Sequence, residues 1–157
     1  MFRVGFSEDI HQLVSNRRLV LGGIEFPNDK GLLGHSDADV ITHAVAESIL
    51  GALALGDLGK FFPDNDPKYK DISSLILLDE VVNKMLEKGF KVNNIDIQVS
   101  LKAPKLAEHI EEMRCVLSSH LKTNIENVSV KACSYNGVGP IGKGEAIKAS
   151  SFVLLEK

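Results

Sequence analysis

The stretch Phe2–Gln12, FRVGFSEDIHQ, decides how this chain is read. Its residues alternate, with Val4, Phe6, Glu8 and Ile10 on one face of an extended strand and Gly5, Ser7, Asp9 and His11 on the other. The second face is unusual, because a half-buried strand does not normally line up Ser, Asp and His. Working outward, Arg18–Phe26 (RLVLGGIEF) sets two short apolar stretches around Gly22-Gly23 and predicts a small hairpin. Residues 38–55 predict a helix, with Ile41, Val45, Ile49 and Leu53 at every fourth position, Ser36 or Asp37 as its cap and Gly56 as its stop. Asp57–Asp71 (DLGKFFPDNDPKYKD) has no period and reads as a loop, long enough to be functional.

A second helix is predicted over Ser73–Lys88, with Leu75, Leu78, Val82 and Met85 on one stripe and Gly89 at its end. Ile95–Leu101 (IDIQVSL) alternates strictly and is the cleanest strand, broken by Ala103-Pro104-Lys105. Leu106, Ile110, Met113, Leu117 and Leu121 mark a third helix with Pro104 near its first turn. Thr123–Glu126 fits a short capped turn. Val128–Ser134 and Ile147–Leu155 read as strands joined by a glycine-rich segment, NGVGPIGKGE. The sum is a single α+β domain over residues 1–157, a mixed β-sheet with long helices packed on one face.

Composition narrows the function classes. The 157 residues are 44% hydrophobic and 25% charged, ordinary for one soluble domain. Eighteen Lys and Arg against 21 Asp and Glu leave a net charge of −3, which argues against a nucleic-acid binder. No apolar run approaches the roughly 18 residues of a membrane span, and MFRVGFSEDIHQLV has no signal-peptide core. Cys115 and Cys133 make no disulfide framework and read as small core residues, so a reducing compartment is expected.

Several constellations carry chemistry, each beside a plainer reading. Asp9 and His11 stand two apart on one strand face, about 7 Å at the backbone, and can converge on one cation. His43 lies early in its helix, with Asp39 and Glu47 as face neighbours. Two His and one Asp suit Zn²⁺ with a fourth position open, but the same spacing fits an Asp–His hydrogen bond beside an unrelated surface His. In Gly34–Asp39 (GHSDAD), His35 and Ser36 can bind a phosphate at a helix N-terminus, whereas cap roles for Ser36, Asp37 and Asp39 explain everything except His35. Asp57–Asp66 can grip hydroxyls or a metal, or be a solvated acidic loop. Leu101–Leu106 (LKAPKL) can offer backbone groups to a base, or simply end a strand. Gly137, Gly139, Gly142 and Gly144 with Lys143 can cradle phosphate or serve as a flexible connection, without P-loop spacing. His109 and His120 read as surface residues.

The order of these signals is more specific than any one of them. A D-x-H strand, GLLGHSDADV with a helical His beyond it, GALALGDLGKFFPDNDPKYKD, KAPK, then VKA and a glycine-rich turn ending in GKGE together resemble the 2-C-methyl-D-erythritol 2,4-cyclodiphosphate synthase family, from Phe2 to the last strand. The resemblance implies a lyase of non-mevalonate isoprenoid biosynthesis. It also implies a homotrimer with active sites between subunits, located in the cytoplasm, or in the plastid stroma if a transit peptide has been removed. The implied substrate is 4-diphosphocytidyl-2-C-methyl-D-erythritol 2-phosphate, whose 2-phosphate attacks the β-phosphorus and expels CMP. By the same resemblance Asp9, His11 and His43 are zinc ligands, and His35 and Ser134 stabilise the transition state. Ser36, Asp57, Leu58, Gly59, Phe62, Pro63, Asp64, Asn65, Asp66 and Lys143 bind substrate. Lys102, Ala103, Pro104, Lys105, Leu106, Cys133 and Ser134 form the cytidine pocket. A second ion, Mg²⁺ or Mn²⁺, bridges the α- and β-phosphates.

The chain departs from the family pattern mainly at 133–146, reading CSYNGVGPIGKGEA where TTTEKLGFTGRGEG is usual. Asn136 replaces the glutamate implied to ligate the second metal, and a neutral amide is the weaker ligand for a hard cation. Pro140 replaces an aromatic and Lys143 an arginine beside the cavity on the trimer axis, and Glu8 intrudes in Ser7-Glu8-Asp9. Two alternatives stay open on sequence grounds. One is a trimeric binding protein that has lost activity. The other is a zinc hydrolase of a nucleotide diphosphate with Asp57 or Glu47 as base.

Overall fold

In the computed structural model, which describes residues 1–157, strands β1 (Phe2–Ser15), β2 (Leu19–Leu21), β3 (Ile24–Phe26) and β4 (Lys30–Leu32) come first. Helices α1 (Val40–Ala52), α2 (Leu58–Phe61) and α3 (Ser74–Glu87) follow, then β5 (Lys91–Ser100), α4 (Ile110–Leu121), β6 (Val128–Cys133), α5 (Gly139–Lys143) and β7 (Ala146–Glu156). The main sheet has the order β4-β1-β7-β5-β6, antiparallel except for the β5–β6 pair. The hairpin β2–β3 stands apart and turns at Gly22 and Gly23, whose φ values of 60° and 79° suit glycine. This is the α+β architecture expected, with a mixed sheet.

The strand face bearing Gly5, Ser7, Asp9 and His11 is the covered one. Helix α1 lies across β1 and β7 and presents Ala44, Ser48 and Ala52, all buried, to the sheet. The fit is close enough that a Cβ on Gly5 would stand 1.9 Å from the Ser48 carbonyl oxygen. The Ser48 hydroxyl meets Ser151 of β7 at 3.0 Å. Small residues on both sides bring helix backbone onto strand backbone, and this places the α1 side chains over Asp9 and His11. Helix α3 packs on α1 and α4 on α3, around a core that includes Ile41, Ile49, Leu78, Met85, Ile97, Met113 and Leu117. The opposite sheet face is exposed: Val4, Phe6, Ile10 and Phe152 stand in solvent, with the Phe6 and Phe152 rings 4.5 Å apart. Glu8 sits on this face in an ion pair with Lys148 (2.7 Å) and accepts from the Ser150 hydroxyl (2.9 Å), so its carboxyl lies below the usual range.

Several expectations need correction. Helix α1 is capped by Asp39, not by Ser36 or Asp37, and ends at Ala52 before Gly56, because Ala54 already turns left-handed at φ 56°. The segment 57–71 is not structureless. Asp57 caps α2, and Asp66 caps a helical turn over Pro67–Tyr69, so its aspartates organise backbone. Pro104 follows a cis peptide bond in the bend before the third helix, outside its first turn. The glycine-rich segment is not merely a flexible connection, since it contains α5. Cys115 and Cys133 are exposed: α4 buries Met113, Leu117 and Leu121 instead, and Cys133 ends the edge strand β6. His109 is half-buried with its ring edge-on to Phe26, and His120 donates to Asp79 at 2.7 Å. No helix is long and apolar enough to cross a membrane.

Candidate metal centre and active-site cleft

Strand periodicity puts Asp9 and His11 on the covered face of β1, and the first turn of α1 brings His43 over them. Asp39 fixes where that turn begins. Fully buried, its carboxylate accepts the N–H groups of Ile41 and Thr42, the Thr42 hydroxyl, and the N–H groups of Gly22 and Gly23. Burial pushes its carboxyl up against these bonds. One side chain thus caps the helix and ties it to the β2–β3 turn.

His11 Nδ1 lies 2.6 Å from the Leu33 carbonyl, which only accepts, so Nδ1 carries the proton there. His11 Nε2 is then 2.9 Å from Asp9 Oδ2, and His43 Nδ1 is 3.1 Å from the same oxygen. One donor atom from each of the three residues lies within 4.8 Å of the others. Lone pairs aimed at one carboxylate oxygen repel unless a proton or a cation lies among them. Burial acts to raise Asp9, but the bonds and charges of His11 and His43 outweigh it and hold its carboxyl well below the usual range. Burial acts to lower His11, yet Asp9 wins and raises it. For bonds of 2.0–2.1 Å, a tetrahedral zinc site spaces its ligands about 3.3 Å apart. Each histidine already stands within a few tenths of an ångström of that spacing from Asp9, and the two histidine nitrogens, within 4.8 Å of each other, close on the ion by side-chain rotation. The two-nitrogen, one-oxygen set therefore fits a divalent ion.

The cleft beside the triad has a volume of about 280 Å³ and gathers Asp9, His11, His43, His35, Ser36, Leu58, Gly59, Phe62 and Asp64 of the expected site, with Gly34, Glu47, Tyr69 and Leu77. His35 Nε2 reaches the Asp66 carbonyl at 3.0 Å. Backbone bonds from Asp71 to His35 and from Asp37 to Ile72 pin the far end of the 57–71 segment to the GHSD turn. Phe62 is buried edge-on to Tyr69, with ring centroids 5.4 Å apart. Glu47 accepts from Ser7 Oγ (3.0 Å) and the Leu58 N–H (3.4 Å). Asp57 accepts from the Lys60 N–H (3.0 Å). Both bases considered for a hydrolase are thus engaged in holding the backbone. Ser36 Oγ turns inward to His43 Nε2 (3.1 Å), Pro63 and Asn65 are exposed, and Asp66 accepts from the Lys68 N–H.

The remaining expected residues lie elsewhere in the chain. Lys102, Ala103 and Lys143 line a second cleft of about 270 Å³ with Leu13, Asn28, Asp29 and Lys30. The Leu101 N–H donates to the Cys133 carbonyl, so the 101–106 bend adjoins Cys133 and Ser134. Pro104 is half-buried, Lys105 is exposed, and Leu106 is core, only 2% exposed. Ser134 accepts from the Asn136 N–H at 3.4 Å, and Asn136 is exposed at φ 50°. The register aligns Ile10, Lys148, Ser100 and Cys133 in one row. Cys133 is therefore three strand spacings, about 14 Å, from the triad strand. Sequence reasoning missed Tyr69, Leu77 and the Leu33 carbonyl, which lack any local signature.

Comparison with known proteins identifies the family. The sequence model of the YgbB family matches residues 2–156. A 2-C-methyl-D-erythritol 2,4-cyclodiphosphate synthase of Finegoldia magna is 51% identical over 155 residues, 99% of this chain and 98% of that protein. The bifunctional IspDF of Campylobacter jejuni aligns with a TM-score of 0.94 at 36% identity, over 99% of this chain and 42% of that longer one. A solved 2C-methyl-D-erythritol-2,4-cyclodiphosphate synthase in a CDP-bound form aligns with a TM-score of 0.90 at 30% identity, over 98% of this chain and 100% of that one. With full-length matches of this kind, the chain belongs to the YgbB family, that of the 2-C-methyl-D-erythritol 2,4-cyclodiphosphate synthases.

Proposed function

We propose that this chain converts 4-diphosphocytidyl-2-C-methyl-D-erythritol 2-phosphate to 2-C-methyl-D-erythritol 2,4-cyclodiphosphate and CMP, a lyase step of isoprenoid biosynthesis carried out in the cytoplasm. The observation that carries this reading is the convergence of Asp9, His11 and His43 beside His35 in a cleft bounded by the 57–66 segment. A 2-phosphate oxygen forms the new bond to the β-phosphorus. The bond from that phosphorus to the bridging oxygen breaks, and CMP leaves with the electron pair. Such a displacement needs alignment and charge neutralisation more than covalent help.

Asp9, His11 and His43 would hold Zn²⁺ with one position open to a substrate phosphate, supplying a Lewis acid that withdraws its charge. His35 donates a hydrogen bond to the phosphates once its Nε2–H leaves the Asp66 carbonyl. Ser36, Asp57, Leu58 and Gly59 bind the erythritol hydroxyls, and Phe62 with the following Pro63–Asp66 stretch closes over them. Lys102–Leu106 and Cys133 read the cytosine, Ser134 stabilises the departing phosphate, and Lys143 adds a positive charge. A second ion, Mg²⁺ or Mn²⁺, would be held weakly at Asn136, whose amide offers only a neutral oxygen, and would neutralise charge on the diphosphate.

The functional unit on this reading is a homotrimer. Two observations support it: the exposed apolar face of Val4, Phe6, Ile10 and Phe152, and the wide separation of the triad from the Cys133–Ser134 cluster. A neighbouring copy then brings its cytidine-binding bend to this chain's metal. Phe6→Glu is expected to shift the protein from trimer to monomer in sedimentation analysis; an unchanged trimer would contradict the assignment of that face.

The function is tested by following CMP release from the substrate. Chelator-stripped protein is expected to be silent, and Zn²⁺ with Mg²⁺ to restore turnover. Undiminished CMP release by stripped His43→Ala protein would overturn the reading.

A further inference from the structure

The side of His43 that faces away from Asp9 is held by a chain of groups, two of which, Ser74 and Asp37, have no part in the reaction as proposed. His43 Nε2 lies 2.9 Å from Ser74 Oγ and 3.1 Å from Ser36 Oγ. Ser74, fully buried at the start of α3, donates its hydroxyl proton to Asp37 Oδ1, while its backbone N–H donates to Asp37 Oδ2 at 3.0 Å. A carboxylate only accepts, and a serine has one hydroxyl proton. That proton is committed to Asp37, so toward His43 the Ser74 oxygen offers only a lone pair. Ser36 Oγ, already accepting the Ala38 N–H at 3.2 Å, is free to accept as well. The Ser74 oxygen, unable to donate to the ring, can take the Ser36 hydroxyl proton at 3.5 Å, and this arrangement favours the His43 proton on Nε2, which leaves Nδ1 bare on the side of Asp9 and His11.

We propose that Asp37 and Ser74 are positioning residues for the metal centre, an acid–hydroxyl–imidazole chain that locks His43 as the Nε2–H tautomer and presents its Nδ1 lone pair to the ion. This rests on the reading of Asp9, His11 and His43 as metal ligands. The two histidines are fixed by different means. His11 is oriented by a backbone carbonyl, which no substitution of the side chain can remove, whereas His43 depends on two replaceable side chains. Partners of this outer kind typically contribute 10–100-fold to metal affinity. Asp37 also stands in for the side-chain cap that Ser73 does not supply at the N-terminus of α3. Ser74→Ala separates the two duties, because it keeps the capped N–H and removes only the hydroxyl.

The test is Zn²⁺ affinity by competition with a chromophoric chelator, paired with ¹⁵N NMR of the His43 ring in metal-free protein at a pH where the ring is neutral. Ser74→Ala is expected to weaken zinc about 10–100-fold with little change in melting temperature. Asp37→Asn is expected to do the same, because an amide NH₂ turned to Ser74 lets the serine donate to His43 and favours the Nδ1–H tautomer. The wild-type ring is expected as Nε2–H. Wild-type affinity in Ser74→Ala, or an Nδ1–H ring in the wild type, would overturn the proposal, and neither depends on Asp37→Asn folding. His43→Ala distinguishes the underlying reading. If it loses zinc while Ser74→Ala does not, the relay fails and the ligand assignment stands. If His43→Ala binds zinc like the wild type, the ligand assignment itself fails.

Discussion

Replacing Gly5 by alanine tests whether the close approach of α1 to β1 builds the metal centre. A Cβ at Gly5 would lie 1.9 Å from the Ser48 carbonyl oxygen and 2.9 Å from Ala52 Cβ, whereas ordinary contact begins at 3.4 Å. The shortfall is 3.4 − 1.9 = 1.5 Å, against a helix backbone carbonyl that cannot rotate away. Overpacking of this kind costs about 1–3 kcal/mol, and rigid backbone on both sides puts Gly5→Ala near the upper end. Loss of glycine's freedom in the unfolded chain returns about 0.4–1 kcal/mol. The net is about 2 kcal/mol, or roughly 4–8 °C in melting temperature for a chain of this size. Relief requires α1 to move away from β1, and that carries His43 away from Asp9 and His11, so zinc affinity should fall together with stability. Gly51→Ala is the control on the same helix, since its nearest atom to a new Cβ is Phe6 O at 3.9 Å and alanine is the better helix former. Urea unfolding at fixed protein concentration, with chelator competition on the same samples, reads both effects. Equal stability and equal zinc affinity for Gly5→Ala and Gly51→Ala would refute the reasoning.

Asp39→Ala strands the buried N–H groups of Gly22, Gly23, Ile41 and Thr42 and removes an N-cap; urea unfolding should show a loss of about 4 kcal/mol, and a loss below about 1 would count against the five-donor account. In metal-free protein, His11 is raised above its usual 6.5 and Asp9 held below its usual 3.8. The His11 contribution is therefore complete below about pH 6.5 and lost as pH rises through its folded value, and the Asp9 contribution is complete above about pH 4 and lost on acidification. Melting temperature should decline above neutral pH, a decline that His11→Gln abolishes, while zinc affinity rises over the same range as binding displaces the His11 proton; a decline that persists in His11→Gln would assign it to another group. Asn136→Glu should lower the Mg²⁺ concentration for half-maximal activity by about tenfold, and equal values for both proteins would exclude weak second-ion binding as a consequence of Asn136.

Four strands of the main sheet were legible from their apolar patterning, while the edge strand β4, only three residues long, was not. The shared strand face of Asp9 and His11 was legible too, but only the order of motifs joined His43 to them. What stayed hidden had long-range causes. The covered face of β1 looks polar and small in sequence because it meets helix backbone at Gly5 and the His43 ring at Asp9 and His11. Its apolar face, Val4 to Ile10, reads as core but stands exposed. The aspartates of 57–71 look like a solvated loop, yet Asp57 and Asp66 cap short turns that only the fold defines. Ser74 is one serine of an Ile-Ser-Ser-Leu run, and nothing nearby in sequence ties it to His43, 31 residues earlier. Cys115 and Cys133 resemble core residues by type but fall outside the buried stripe of α4 and at a sheet edge.

The central claim is cyclisation, and phosphorus NMR of the products tests it most directly. Purified protein incubated with 4-diphosphocytidyl-2-C-methyl-D-erythritol 2-phosphate, Zn²⁺ and Mg²⁺ should yield CMP and a cyclic species with two coupled diphosphate resonances. Linear methylerythritol phosphates beside CMP, or unchanged substrate, would contradict it.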